Sequence, residues 1–244
     1  MSANVSAPVE ADLDVLIVGA GLSGVGAAWH LQHRCPDQSY LILESRESLG
    51  GTWDLFRYPG IRSDSDMYTF GYAFRPWTDG KVFADGPSIR NYVNDTAEEA
   101  GIAPNIRYQH KVVGAHWSTE DARWTVEVAV GESGAIKRYT AKFVFLCSGY
   151  YRYDRGYMPD FPGMADFKGD VIHPQLWPEG YDYAGKRVVV IGSGATAVTI
   201  VPAMADKAAH VTMLQRTPTW MAAGPRHDRI NKALLKVLPD KWAY

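Results

Sequence analysis

The chain has 244 residues, of which 46% are hydrophobic and 21% charged, and its formal net charge at pH 7 is -2. This composition is typical of a globular protein with one large domain or two smaller ones. It excludes a polyanion-binding protein, since no basic stripe is present, and no apolar run is long enough to span a membrane. The two cysteines, Cys35 and Cys147, show neither disulfide-framework nor metal-ligand spacing, so no metal site is predicted.

The N-terminal segment, residues 1–11, has neither the basic start nor the apolar core of a signal peptide. We predict a disordered tail there. Together with the cysteine content, this indicates a cytoplasmic location in a reducing compartment.

A dinucleotide-binding pattern follows the tail. The aliphatic run Val15 to Val18 predicts a buried parallel strand, and Gly19, Gly21 and Gly24 lead from it into a helix. These glycines allow a tight turn, a close approach to a pyrophosphate and close packing of the helix. The next strand ends at Glu44, whose carboxylate accepts hydrogen bonds from a ribose and repels a 2′-phosphate. We therefore predict a site for FAD or NAD rather than NADP.

Adjacent glycines then precede Thr52 and Trp53, which suits a loop folded over a flat ring. Asp64 and Asp66 lie in the Gly/Pro-rich loop that follows, where a role as turn or cap residues is an alternative to a functional one. The segments 108–113, 124–130 and 143–147 predict a small antiparallel meander inserted in this domain. The last of these segments is a buried strand that ends in glycine and could bring backbone close to a cofactor.

A second dinucleotide-binding pattern begins at Arg187. The order of the first pattern is repeated here by strand 187–191, a glycine turn, helix 195–204 and strand 210–214. Such an internal repeat is itself evidence for a second unit of the same kind. Arg216 stands where Glu44 stood, and Thr217 follows it. A guanidinium and a hydroxyl can bind a 2′-phosphate, so this unit is predicted to prefer NADP(H), although a surface arginine at a strand end is also common.

The stretch between the two patterns matches F-x-G-x-x-x-H-x-x-x-W-P at Phe167, Gly169, His173, Trp177 and Pro178. With this motif and both dinucleotide-binding patterns, the chain resembles the class B flavoprotein monooxygenases of the Baeyer-Villiger type. The resemblance extends from about residue 12 to the C-terminus. It implies an α/β fold with two Rossmann-like domains of the FAD/NAD(P)-binding superfamily, the second of them incomplete. The implied order is the tail (1–11), an FAD-binding domain with the meander (12–150), a linker with the motif (151–184) and a partial NADPH-binding domain (185–244).

The resemblance also implies roles for individual residues. The implied FAD contacts are Gly19, Gly21, Ser23, Gly24, Glu44, Thr52, Trp53, Asp64 and Val112. The implied NADPH contacts are Arg62, Ser63, Asp64, Gly192, Ser193, Gly194, Ala195, Thr196, Ala197, Val198, Arg216 and Thr217. Asp64 would approach the reactive edge of the flavin, while His173 and Trp177 would couple the two domains rather than perform chemistry.

The implied reaction uses O2 and a flavin C4a-peroxide to convert a ketone into an ester, or a sulfide or thioamide into an S-oxide. The resemblance implies peripheral membrane association as an alternative location. Members of the family are longer, so we expect the peroxide-stabilising arginine, the substrate-facing helices and the last strand of the FAD domain to lie beyond Tyr244. An amphipathic helix predicted over residues 229–238 would promote association with a C-terminal half or with a second copy. A catalytically inactive flavin-binding fragment is the alternative function.

Overall fold

The computed structural model describes residues 9–221 and residue 233 of the chain. It divides the chain into a first unit, residues 1–54 and 90–151, and a second unit, residues 55–89 and 152–244. In chain order, the helices and strands of the described residues are β1 (Val9–Val18), α1 (Leu22–Arg34), β2 (Tyr40–Leu43), α2 (Thr52–Leu55), α3 (Met67–Phe70), α4 (Gly86–Glu99), β3 (Ile106–Arg107), β4 (His110–Ser118), β5 (Arg123–Val130), β6 (Ala135–Leu146), β7 (Arg187–Ile191), α5 (Ala195–Ala205) and β8 (His210–Leu214). Short 3-10 helices cover Ala103–Asn105, Met164–Asp166 and Pro174–Leu176.

The first unit is built on one mixed sheet, in which the described strands follow the order β3-β2-β1-β6-β5-β4. Strands β3, β2, β1 and β6 pair in parallel, while β6, β5 and β4 form an antiparallel meander. Buried side chains from β1, β2, β5 and β6, among them Leu16, Leu43, Val126 and Tyr139, form a common core. The predicted α/β class is confirmed.

Some boundaries differ from those predicted. Strand β1 begins at Val9 and pairs with β6 through Val9 and Ala11, so residues 9–11 belong to the sheet and not to a disordered tail. The meander begins at His110 rather than at residue 108, because Gln109 has a positive φ of 55° that interrupts the extended backbone. The segment predicted as strand 143–147 is the second half of the longer strand β6, whose first half pairs with β5.

The second unit contains the parallel pair β7 and β8 with helix α5 between them in sequence. Both strands have the bounds predicted for them. Their core includes Phe56, Tyr58, Ile200 and Met204. Apart from residue 233, which is helical, the helix predicted over residues 229–238 lies outside the described residues. Among the described helices, none has both the length and the apolarity to cross a membrane.

Asp14 anchors the start of the parallel sheet through its carboxylate. Lys142 donates to one oxygen at 2.7 Å, and the backbone and hydroxyl of Ser39 donate to the other at 2.9 and 2.8 Å. The bond from Lys142, followed by those from Ser39, holds the pKa of Asp14 well below its usual range. Because the pKa of Asp14 is lower in the folded state, its ionised carboxylate contributes fully to stability at pH values above the unfolded-state pKa of about 3.9. This contribution is lost progressively as the pH falls below that value.

We therefore predict that Asp14→Asn lowers the urea midpoint near neutral pH, and that the difference from the wild type narrows steadily from about pH 4 downward. Urea denaturation of both proteins at several pH values measures this. Asp37→Asn, at an exposed position, is the control and should follow the wild type throughout. A difference that grows in acid would contradict the assignment.

Candidate nucleotide-binding sites

The first glycine turn joins β1 to α1 in a conformation that only glycine adopts easily. Gly19 has a φ of 105°, and a β-carbon on it would lie 2.5 Å from the carbonyl oxygen of Cys147. A β-carbon on Gly24 would overlap the carbonyl oxygen of Gly19. The backbone just after β6 thus lies against the turn, and Gly24 lets α1 begin directly beside the strand. Ser23 is exposed in the first turn of α1.

Glu44 follows β2 and is 5% exposed. One carboxylate oxygen accepts from the backbone N–H of Ala20 at 2.8 Å, and the other from that of Arg46 at 2.9 Å. The carboxylate is therefore oriented beside the glycine turn, and its remaining lone pairs can accept further hydrogen bonds. Burial, and secondly the charge of Glu44, raise the pKa of Tyr108.

Val112 lies near the same strand end. It belongs to β4, which begins at His110, and the N–H of His110 donates to the carbonyl of Glu44 at 2.8 Å. A bulge follows Val112, between it and Gly114. The structure therefore brings the predicted adenine contact close to the predicted ribose contact.

The Gly50–Gly51 loop lies directly on the first glycine turn. The N–H of Gly50 donates to the carbonyl of Ala20 at 3.0 Å, and a β-carbon on Gly21 would be 3.5 Å from Cα of Gly51. Both loop glycines have positive φ, 115° and 56°. Thr52 and Trp53 begin α2 immediately afterwards and are partly exposed. Thr52 and Trp53 therefore follow directly after the loop that contacts the first glycine turn.

Asp54 is a site residue that sequence reasoning missed. It is 4% exposed and accepts from Ser48 Oγ at 2.5 Å and from Arg46 at 2.7 Å, with Arg90 at 3.6 Å. Arg46 also donates to the carbonyl of Gly51 at 3.4 Å. Asp54 therefore ties the double-glycine loop to the rest of the first unit. The available signal was an acid directly after an apparent ring-binding loop, with basic residues nearby in sequence.

The second glycine turn joins β7 to α5. Gly192 has a φ of 129°, and its N–H donates to the carbonyl of Leu214 at 2.8 Å. Among the described residues, no atom beyond the chain neighbours of Gly194 lies within 4 Å of a β-carbon on it. The space above Gly194 is therefore open to a phosphate. Residues Ala195, Thr196, Ala197 and Val198 form the first turns of α5, and Ala197 is buried where the first unit has Gly24.

A hydroxyl chain links this turn to the segment after β8. Ser193 Oγ donates to the carbonyl of Thr217 at 2.9 Å and accepts from Thr219 Oγ1 at 3.0 Å. Arg216 is exposed between β8 and Thr217. The structure thus brings the predicted pyrophosphate and 2′-phosphate residues together and adds Thr219, which sequence reasoning missed.

The segment from Arg62 to Asp66 belongs to the second unit. Arg62 is exposed, Ser63 is buried and donates to the carbonyl of Ser65 at 2.8 Å, and Asp64 is exposed. Asp66 caps α3 by accepting from the N–H of Thr69 at 2.9 Å, which confirms the cap alternative for this residue. Asp64 therefore lies in a different unit from the other predicted FAD contacts.

The motif residues form local contacts within the second unit. A β-carbon on Gly169 would lie 2.6 Å from Cζ of Phe167, so the exposed ring of Phe167 packs over this glycine. His173 accepts the N–H of Gln175 on Nδ1 at 3.2 Å and thereby caps a 3-10 helix. Trp177 packs edge-on against Tyr181 and Tyr183.

The described residues contain no cluster of His, Cys, Asp or Glu that could hold a metal ion. What they do contain is two glycine turns between a parallel strand and a helix, each paired with a strand that leads to a charged residue. This arrangement defines a protein with two dinucleotide-binding units of the Rossmann type.

Family models match the chain in the same regions. Residues 17–94 match an NAD(P)-binding Rossmann-like domain, and residues 61–230 match the model of flavin-binding monooxygenase-like proteins. The chain belongs to the flavin-binding monooxygenase-like family. The resemblance predicted from the motif is therefore confirmed.

Named relatives support the same assignment. The FAD-containing monooxygenase EthA of Mycobacterium tuberculosis (strain ATCC 25618 / H37Rv) is 60% identical over 233 residues, which are 95% of this chain and 47% of EthA. The crystal structure of OTEMO complexed with FAD and NADP is 33% identical with a TM-score of 0.71, covering 85% of this chain and 39% of that one. A cyclohexanone-bound structure of cyclohexanone monooxygenase is 27% identical with a TM-score of 0.76, covering 92% and 44%. The chain spans about half the length of the curated relatives it matches.

Proposed function

We propose that this chain is the cofactor-binding part of an FAD- and NADPH-dependent monooxygenase of the Baeyer-Villiger type. The observation that carries the proposal is the opposite charge at two equivalent strand ends. Glu44 follows β2 beside the first glycine turn, and Arg216 follows β8 beside the second. One site therefore favours a free ribose and the other a ribose phosphate.

The residues of each unit fit the cofactor proposed for it. In the first unit, Gly19, Gly21, Ser23 and Gly24 would hold the diphosphate of FAD, Glu44 the ribose and the backbone of Val112 the adenine, with Thr52 and Trp53 bordering the flavin. The free approach to Gly194 and the hydroxyl chain through Ser193 suit the diphosphate of NADPH. The chemistry that the two cofactors supply when bound is hydride transfer from nicotinamide to flavin and activation of O2.

The remaining roles concern the second unit. Arg62, Ser63 and Asp64 would contact the nicotinamide end of NADPH, and Asp64 would approach the reactive edge of the flavin. His173 and Trp177 would couple the two domains. The substrate would be a ketone, a sulfide or a thioamide, by analogy with the ketone-bound relative and with FAD-containing monooxygenases. A cytoplasmic location is proposed from the free cysteines Cys35 and Cys147.

Arg216→Gln tests the assignment of the second site. We predict that it weakens NADPH binding by about ten- to a hundredfold and leaves NADH binding unchanged, because one charge-assisted contact to the 2′-phosphate contributes about 1.5–3 kcal/mol. Isothermal titration with each nucleotide measures both affinities.

Arg187→Gln is the matched control for this variant. Arg187 is also exposed and also belongs to the second unit, but it lies at the start of β7, away from the glycine turn that follows the strand. It should bind both nucleotides like the wild type. Equal weakening of NADPH and NADH by Arg216→Gln would show that Arg216 does not recognise the 2′-phosphate.

A flavin-binding module without activity of its own is the second candidate. The observation that favours it is the second half of β6, where residues 143–146 pair with β1 alone among the described strands. Phe143 and Phe145 are 65% and 55% exposed there and line an open groove of about 480 Å³ with Leu31 and Pro36. An apolar face of this kind favours association with a further polypeptide or a second copy.

The two candidates are separated in two steps. Visible absorbance of the purified chain shows whether FAD is bound. NADPH consumption, with and without the added C-terminal half of EthA, then distinguishes a cofactor-binding part of an enzyme from an inactive module. A colourless chain that consumes no NADPH in either case would overturn the first candidate.

A further inference from the structure

Gly156 supports the imidazole ring of His173. A β-carbon on Gly156 would overlap Cε1 and Nδ1 of that ring and would lie 2.5 Å from its Nε2, and these are the three nearest atoms it would meet. The ring therefore lies flat on the glycine. Gly156 is absent from the glycines with positive φ in the described chain, so its backbone conformation is open to alanine, and the nearest obstacle to the methyl group is the ring.

One hydrogen bond orients the imidazole of His173 within its own segment, and a second connects that segment to the one that contains Gly156. The N–H of Gln175 donates to Nδ1 of His173 at 3.2 Å, which places the proton of the neutral imidazole on Nε2. The side-chain amide of Gln175, a residue that is 5% exposed, donates to the carbonyl of Arg152. The chain from Arg152 to Gly156 is thus held against the segment that carries His173, and the ring has one hydrogen-bonded edge and one supported face.

We propose that Gly156 is a positioning residue for His173, which sets the plane of the imidazole and hence the direction of its Nε2–H. Gly156 lies outside the motif, and the three nearest atoms that its β-carbon would meet all belong to the His173 ring. The functional part of this inference rests on the proposed role of His173 in coupling the two cofactor domains. The positional part stands on the geometry of the second unit alone.

A double-mutant cycle tests the proposal on the 244-residue chain. In Gly156→Ala the displaced ring should release the Gln175 amide, whose hydrogen exchange should accelerate by about tenfold or more. The nitrogen-15 signals of the His173 imidazole should shift, and the urea midpoint should fall. In the His173→Ala background, the same alanine has no ring to displace, so its effect on the urea midpoint should nearly vanish.

Two results of the double-mutant cycle would overturn the proposal. One is a Gly156→Ala chain with unchanged imidazole signals and unchanged protection of the Gln175 amide. The other is an alanine that lowers the urea midpoint equally with and without His173, which would assign the effect to the backbone. Because the midpoint is compared within each background, general destabilisation does not imitate the expected result.

A last measurement separates this inference from the proposed function. With the C-terminal half of EthA added, Gly156→Ala and His173→Ala should reduce NADPH-dependent turnover to a similar extent, and the double variant should be no slower than His173→Ala. Shifted imidazole signals together with normal turnover would confirm that Gly156 positions the ring and would refute the coupling role of His173.

Discussion

Gly24→Ala is expected to weaken FAD binding to the first unit by about a hundredfold or more. A methyl group at this position overlaps the carbonyl oxygen of Gly19, a backbone atom that cannot rotate away. Helix α1 must therefore move away from the end of β1, and its first N–H groups move with it. The loss of two charge-assisted hydrogen bonds to a diphosphate costs about 3–6 kcal/mol, or a hundredfold or more in Kd.

FAD affinity is measured by flavin fluorescence, on the chain alone or with the C-terminal half of EthA. Gly134→Ala is the control. Unlike Gly24, Gly134 has a positive φ, 64°, but among the described residues no atom beyond its chain neighbours lies within 4 Å of its β-carbon. It should cost about 1 kcal/mol of stability for the backbone conformation and leave FAD affinity unchanged. Normal affinity in Gly24→Ala would show that FAD does not lie on this turn.

Asp54→Asn is expected to destabilise the first unit by about 2–4 kcal/mol. Removing one partner of a buried ion pair costs about 3–5 kcal/mol, because the other charge is left without compensation. The side chains of Arg46 and Arg90 are 24% and 32% exposed, so water solvates part of their charge and the loss should fall below the full amount. The variant should also bind FAD more weakly, since Arg46 and Asp54 together hold the Gly50–Gly51 loop.

Chemical denaturation and flavin fluorescence measure the two effects. Glu10→Gln is the matched control, because Glu10 forms an ion pair with Lys137 at 2.9 Å in the same unit, with both side chains largely hydrated. Exposed ion pairs contribute little to stability, so this variant should unfold like the wild type. An Asp54→Asn chain as stable as the control would rule out a structural role for the carboxylate.

Much of both nucleotide sites could be predicted from contiguous residues. A strand, a glycine turn and a helix are set by local backbone sterics, so Gly19 and Gly192 predict their turns independently of the rest of the fold. The charge after the next strand, Glu44 or Arg216, follows from the same short unit. The start of β1 at Val9 could not be predicted in this way, because its first residues are ordered by pairing with Arg138 of a distant strand.

The sequence by itself therefore determined the number of candidate nucleotide sites, their order and the opposite charge of Glu44 and Arg216, since each is encoded in a short βαβ segment. Only the tertiary structure decided which residues support these sites. A β-carbon on Gly60 would lie 2.5 Å from the carbonyl of Thr199, Asp54 contacts Arg90, and Gly156 carries His173. The physical reason is that each of these contacts joins residues that are distant along the chain. Local backbone preferences do not determine which distant residue will pack against a given glycine or carboxylate.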